Sequence, residues 1–558
     1  MSKYFHAANT SMRRRTSWII AFTILTAHAA LVWVARSPGF MSGQDGATYV
    51  LLGRAIRDFH YRDVFQIDQP PHRMYPPGYP SMLAIWSSIG GEGFDWLVIP
   101  SIVSSVGALA LLFFTIRRLW GPQYALAGLL ALALNPWVVE SAGRVASESP
   151  FMFFQVLVLW ALSRDSEGPA MTVLAGGAAI AAAMVRSIGV TLILSVGLFW
   201  LWRRRFRAIA IYIVAVVLTV GLWLGWTAQN KEVAPVGGSY ASDATAGVSE
   251  FGLVSAVITR LTNKWIYPFN LYQFLPGLNV PRNPVDDVIG VIILAPILLA
   301  AVPVLFTTWR AAFLYLAVYG ALLLMWAWPV QRFLIPLLLL FVPLVILGSA
   351  RLVAWVRPNR ERTAIVVVTT LLAVNGARMV AGVIERQKDC VPGAALPSRG
   401  CLDEDRASFV SALEYIRQSV ASDAVFLTGK REDFYYYTGR RAASQTRALS
   451  QSPSDFLPYL RREGVTYVLL LTYMPVADGV PSAAHLTLGE MLQANCQNLH
   501  LEASFPPASF LFRVPSEDES PDQLAACRAL DVYLERNRAA IDERQWIRRT
   551  MARPPGTE

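Results

Sequence analysis

Charge is scarce in this chain. Asp, Glu, Lys and Arg make up 16% of its 558 residues, where ordinary soluble domains carry roughly 25%. With 54% apolar residues and a mean hydropathy of +0.40, that scarcity excludes a wholly soluble protein. Histidine is also sparse. The six residues are scattered, with no H-E-x-x-H and no i, i+4 pair, so no zinc site of that kind is encoded. The four cysteines all fall after residue 389, which leaves the apolar part without any. No solenoid-type repeat is present. No G-x-S-x-G elbow or dinucleotide fingerprint sits in a supporting context. The stretch LTGKRED lacks the second glycine and the Ser/Thr of a phosphate-binding loop, so nucleotide binding is not expected. Chemistry must therefore come from carboxylates, arginines and tyrosines.

The charge that is present has a pattern. Lys and Arg number 49 against 39 Asp and Glu, a formal balance of +10. Much of the excess lies in short clusters at the ends of apolar runs: Arg13–Arg15, Arg117 and Arg118, Arg203–Arg205 with Arg207, and Arg351 to Arg362. That placement is the positive-inside signature of membrane topology, so no nucleic-acid partner is expected. From about 18 to 383 the chain repeats apolar runs of about 16–22 residues, the length of a membrane-spanning helix. The expected fold class is a polytopic α-helical membrane protein of about eleven spans with a C-terminal soluble α/β domain. The expected domains are 1–383, with an outer loop at 37–95, and 384–558.

Residues 18–35 read as a first span rather than a cleaved signal, because the apolar run exceeds an h-region and no A-x-A site follows. Further spans are expected at about 96–116, 122–140, 150–163, 169–185, 188–202, 208–228, 286–306, 311–328, 333–350 and 363–383. This count places the N-terminus in the cytoplasm and the C-terminal domain outside it. Within the polar loop, Tyr49, Leu52, Ile56 and Phe59 share a helical face that would suit a helix on the membrane surface. Pro70, Pro71, Pro76, Pro77 and Pro80 force an extended path, and Ser81 to Ile89 is too short to span.

In the C-terminal domain, a helix is expected at 407–420, strands at 424–428 and 466–472, helices at 453–463, 486–496 and 521–540, and a hairpin at 499–513. Four cysteines confined to an outer domain fit disulfides, with Cys390–Cys401 and Cys496–Cys527 favoured by proximity over the other two pairings. Four unpaired thiols are the other reading.

Asp45, in SGQDGATY, is the first candidate for chemistry. Burial beside lipid would raise the basicity of its carboxylate, which suits a general base; the plain alternative is a helix N-cap. Arg186 and Arg332 lie at the outer ends of apolar runs and could clamp a phosphate, or simply reach to the interface. Glu148 opens a span from the outside, as a dipole-favoured acid or as a group that helps hold the acceptor or a metal. His72, Arg73 and Lys264 could meet a phosphate, and Tyr75 belongs to a rigid shoulder, YPPGYP.

The order of SGQDGATYVLLGRAI, YPPGYPSMLAIW, ASESP, RSIGVTLIL and QRFLIPLLLLFVPLVIL resembles the GT-C superfamily of integral-membrane glycosyltransferases, in particular the branch of protein O-mannosyltransferases and the lipid A aminoarabinose transferase. The resemblance covers about 20–350. It implies a polyprenyl-phosphate-linked sugar donor, an acceptor glycan, lipid or protein outside the cytoplasm, and a bacterial cytoplasmic membrane. It implies Asp45 as the base of an inverting transfer, with Arg186 and Arg332 on the leaving phosphate. Gln44–Asp45 stands where several branches have paired acids, so no cofactor is expected; a divalent metal is allowed but not indicated. Two other readings stay open: a transporter or flippase of lipid-linked sugars, and a membrane scaffold whose outer domain binds a partner.

Overall fold

The computed structural model describes residues 14–42, 45–164, 168–230, 275, 284–325, 331–390, 396–471, 483–507, 509–516 and 523–538. Contacts divide the chain into two units. One comprises Met1–Ser37, Arg73–Glu232 and Gly237–Gln387; the other comprises Pro38–His72, Val233–Val236 and Lys388–Glu558.

The first unit is helical. Among the described residues, six helices are long and apolar enough to cross a membrane: Arg15–Val34, Phe94–Leu119, Phe206–Gln229, Gly290–Thr308, Arg332–Val356 and Pro358–Arg386. The span expected at 122–140 is instead a pair, Pro122–Ala133 and Pro136–Ala142, bent by 63°. Asn135 causes the break: its side chain accepts from the Trp137 and Val138 amides, and Pro136 opens the second helix. Four further apolar helices, Glu148–Ser163, Pro169–Val185, Ser187–Trp202 and Arg310–Leu324, are shorter than a full span. The expected count of about eleven crossings therefore depends on these short helices and the bent pair.

Leu338–Val356 is the hub of the unit. Every residue from Leu338 to Ala350 is buried, packed against Pro284–Thr308, Glu361–Arg386 and Pro122–Ala133. A helix apolar all round, as this one is, belongs inside a bundle. Phe206–Gln229 is the opposite case, exposing Leu218 and Leu222 as a lipid-facing helix would.

The second unit is built on a four-stranded sheet of order β1-β2-β4-β3, with β1 Phe426–Thr428, β2 Tyr467–Leu470, β3 His500–Phe505 and β4 Ser509–Arg513. β1 and β2 are parallel and the other pairs antiparallel. Leu427, Val468, Leu470 and Phe512 join Phe456, Leu460, Leu492 and Leu530 in its core. The expected helices form at Glu404–Ser419, Pro453–Arg462, Ala483–Ala494 and Gln523–Arg536. Arg431–Thr438 is an additional helix that the sequence reading did not anticipate.

The first part of the polar loop, Pro38–His72, belongs to this sheet unit. Gln66 bridges in parallel to Ala442, which bridges in turn to Phe426 of β1. The apolar face of its helix, Gly46–Arg57, expected to meet a membrane surface, is covered by protein: Tyr49 and Leu52 are buried, and the helix packs on Arg431–Thr438. Phe59, expected on the same face, is exposed, because the helix ends at Arg57 and Phe59 takes a positive φ of 58°.

Cys496 and Cys527 are bridged. Cys390 and Cys401 are free thiols, which corrects the second expected pair. Each thiol meets a carbonyl: Cys390 Sγ donates to Cys401 O at 3.9 Å and Cys401 Sγ to Ser398 O at 3.1 Å.

Candidate active site

In the membrane unit, the central feature is a buried ion pair between two residues the sequence had singled out separately. Helix Pro169–Val185 ends at Arg186, where the backbone turns extended (φ −151°, ψ 131°), and the turn Ser187–Gly189 starts the next helix. Two close approaches make this reversal possible. A Cβ on Gly189 would lie 2.4 Å from the Ala183 nitrogen, and one on Gly78 would lie 2.5 Å from the Met184 carbonyl oxygen. Only glycine lets backbones pack at that distance.

The reversal brings the Arg186 guanidinium to Glu148, the first residue of helix Glu148–Ser163, with Nη1 2.5 Å from Oε1. The same nitrogen donates to Ser147 Oγ at 3.0 Å. Arg186 is 7% exposed and Glu148 2%. An arginine reaching out to the interface would not be buried in this way. The pair is desolvated, so each charge depends on the other.

Arg186 also lines a cavity of about 220 Å³. Apart from Ser187, its other walls are apolar, with Pro76, Trp223, Leu224, Leu322 and Phe333 among them. The Phe333 ring lies 5.7 Å from the guanidinium carbon. Two buried hydrogen bonds hold its turn, Gln331–Leu337: Tyr319 Oη donates to Phe333 O at 2.6 Å, and Gln155 Nε2 to Pro336 O at 3.0 Å. An apolar chamber with one guanidinium at its wall suits an anionic head on a hydrocarbon chain.

The other expected residues divide as follows. Arg332 sits half-buried in the turn Gln331–Leu337 and does not line the cavity; its neighbour Phe333 does. Arg73 is buried and donates from Nε to Thr227 O at 2.9 Å. Tyr75 is buried and is not a wall of the cavity. Lys264 lies outside the described residues.

In the sheet unit, Asp45 occupies the N-cap position of helix Gly46–Arg57, but its side chain makes no capping hydrogen bond. His72 is paired through Nδ1 with Asp63 Oδ1 at 2.6 Å, and Gln66 Nε2 donates to the other Asp63 oxygen at 3.1 Å. His72 therefore closes a loop with Asp63. The sequence reading missed Asp433, Lys430, Ser147 and Phe333. Asp433 could have been noticed as a carboxylate heading the aromatic run DFYYY. Among the described residues, no group of three or more His, Cys, Asp and Glu is arranged to hold a metal.

Residues 74–226 match the family described as dolichyl-phosphate-mannose-protein mannosyltransferase. No curated protein matches the chain significantly by sequence. Among solved structures, the fold is similar to ArnT from Cupriavidus metallidurans bound to undecaprenyl phosphate, at 13% identity and TM-score 0.54, covering 91% of this chain and 99% of that one. The apo state of that protein gives 12%, 0.55, 91% and 100%. The Archaeoglobus fulgidus oligosaccharyltransferase, tethered to an acceptor peptide containing the NVT sequon, is similar at 11% identity and TM-score 0.54, covering 92% of this chain and 77% of that one. The resemblance first read from the order of sequence motifs thus meets a family match over residues 74–226 and a likeness of fold, over nine-tenths of the chain, to these two membrane enzymes.

Proposed function

We propose that this protein is a glycosyltransferase that moves a sugar from a polyprenyl-phosphate-linked donor to an acceptor hydroxyl at the outer face of the cytoplasmic membrane, with inversion. The observation that carries the proposal is Arg186, a buried guanidinium set in the wall of an otherwise apolar cavity. The undecaprenyl phosphate bound by the structurally similar ArnT supports this choice of donor.

On this reading the acceptor oxygen forms its bond to the sugar C1 as the bond from C1 to the phosphate oxygen breaks. The acceptor proton passes to Asp45, whose carboxylate is the base. The departing polyprenyl phosphate gains negative charge, and Arg186 stabilises it with fork-shaped N–H donors. Glu148 and Ser147 fix the guanidinium in place beforehand, so it need not reorganise during the reaction. Arg332, Arg73, His72 and Lys264 are assigned supporting contacts to the phosphate or acceptor, and Tyr75 a shaping role. No cofactor is assigned. The N-terminus is placed in the cytoplasm and the C-terminal unit outside it.

The test is binding of fluorescent undecaprenyl phosphate to the purified protein. Wild type should bind, R186K should bind at least tenfold more weakly, and undecaprenol without the phosphate should bind weakly to both. Equal affinity of R186K and wild type for the phosphate would remove Arg186 from the site.

A further inference from the structure

Asp433 is buried to 2% exposure, and its Oδ2 finds no hydrogen-bond partner among the described residues. A buried carboxylate with an unsatisfied oxygen is costly, and an apolar residue would cost less there. Its helix, Arg431–Thr438, is fastened to the polar loop on both sides of Asp45. Ahead of Asp45, the Phe40 amide donates to Tyr437 Oη at 3.2 Å, and the Phe40 ring meets Tyr436 edge-on at 4.6 Å. After Asp45, the Arg54 guanidinium lies 5.2 Å from the Tyr436 ring centre.

We propose that Asp433 is a positioning residue for Asp45: the helix Arg431–Thr438 holds a second, buried carboxyl against the start of helix Gly46–Arg57, and its charge state sets the basicity of Asp45. This inference rests on the reading of Asp45 as the base. Once Asp433 loses its proton, the added negative charge makes Asp45 a stronger base. The two carboxyls then titrate as a coupled pair.

The groups that act on Asp433 are consistent with this arrangement. Burial pushes its carboxyl up to about 7; Lys430 opposes that shift, and Glu432 and Asp45 add to it. The packed helix Gly46–Arg57 carries two cations, Arg57 and Arg54, the latter engaged over Tyr436. From helix Glu404–Ser419, Asp405, Arg406 and Glu414 pair with Arg536, Asp403 and Arg399. Arg417 is the remaining cation of that helix, and its charge acts on Arg440.

The experiment has two readouts on the full-length protein. In membranes, wild-type transfer should rise through an inflection near pH 7. D433N should lose that inflection, moving it more than one pH unit toward the ordinary carboxylate range. An unchanged inflection in D433N, with transfer abolished in D45N, would sink this inference alone. Full transfer by D45N would remove Asp45 as the base and this inference with it. In purified protein without substrate, infrared titration should show a protonated-carboxyl band that disappears near pH 7 in wild type and is missing from D433N. Its absence from wild type would overturn the proposal. Where D433N does not accumulate, K430M replaces it: removing the opposing cation should move the inflection and the band to higher pH, and no movement would count against Asp433.

Discussion

At the residue scale, the membrane unit turns on a mutual dependence. Arg186 and Glu148 are both legible in the sequence as charges at the ends of apolar runs, yet no spacing rule says that they meet across 38 residues of chain. Their pairing depends on a backbone reversal that two glycines permit, which periodicity does not report. Removing one partner leaves a buried charge, so R186Q or E148Q should each lose about 3–5 kcal/mol of stability, read by thermal unfolding in detergent. The apolar double variant R186M/E148L should recover most of that loss while remaining unable to bind the lipid phosphate. A double variant as unstable as the singles would contradict the pairing.

Asp433 makes a second prediction with a definite sign. Its folded-state pKa of about 7 stands above its ordinary 3.8, so the folded protein holds a proton there that the unfolded chain releases. Stability from this group is therefore present below about pH 4 and lost as pH rises to about 7. D433N should remove that slope, a gain over wild type at pH 8 of at most about 4 kcal/mol. A wild-type stability curve parallel to that of D433N between pH 4 and 8 would contradict it.

At the scale of elements, most helices and all four described strands were legible, because apolar runs and alternation report burial directly. Several features were not, and two are instructive. The break between Pro122–Ala133 and Pro136–Ala142 was hidden inside one continuous apolar run, although Asn135 followed by Pro136 carries the cap signal in plain view. The helix Arg431–Thr438 begins with three charged residues and continues with aromatics, a composition that suits loop and helix alike. The glycine contacts give the element-level test. G78A must push its helix away from the Met184 carbonyl, so it should cost at least about 1–3 kcal/mol and weaken lipid-phosphate binding. G177A, with open space around the position, should change neither. The cysteines give another: intact-mass mapping without reductant should find Cys496 joined to Cys527 and thiols at Cys390 and Cys401. Burial and the neighbouring Cys401 push the Cys390 thiol up to about 12, so it should alkylate slowly at neutral pH. A Cys390–Cys401 peptide in that map would overturn the assignment.

At the scale of the whole molecule, the change from apolar to ordinary composition near residue 384 reports a membrane part and a sheet part. It does not report which distant segments associate. The loop Pro38–His72 joins the C-terminal sheet unit through pairings such as Gln66 with Ala442, far apart in sequence and invisible to local patterning. The candidate base thus belongs to the unit that also contains Asp433, while the candidate phosphate-binding arginine belongs to the membrane unit. The central claim is that Asp45 is the base of a polyprenyl-phosphate-dependent transfer, and the most direct measurement is transfer of radiolabelled sugar from a panel of synthetic polyprenyl-phosphate sugars to an envelope acceptor fraction, comparing wild-type membranes with D45N membranes that hold equal amounts of folded protein. Transfer by wild type from at least one donor, with a loss of 10²–10⁴-fold in D45N, is the predicted result; equal transfer by both would contradict it.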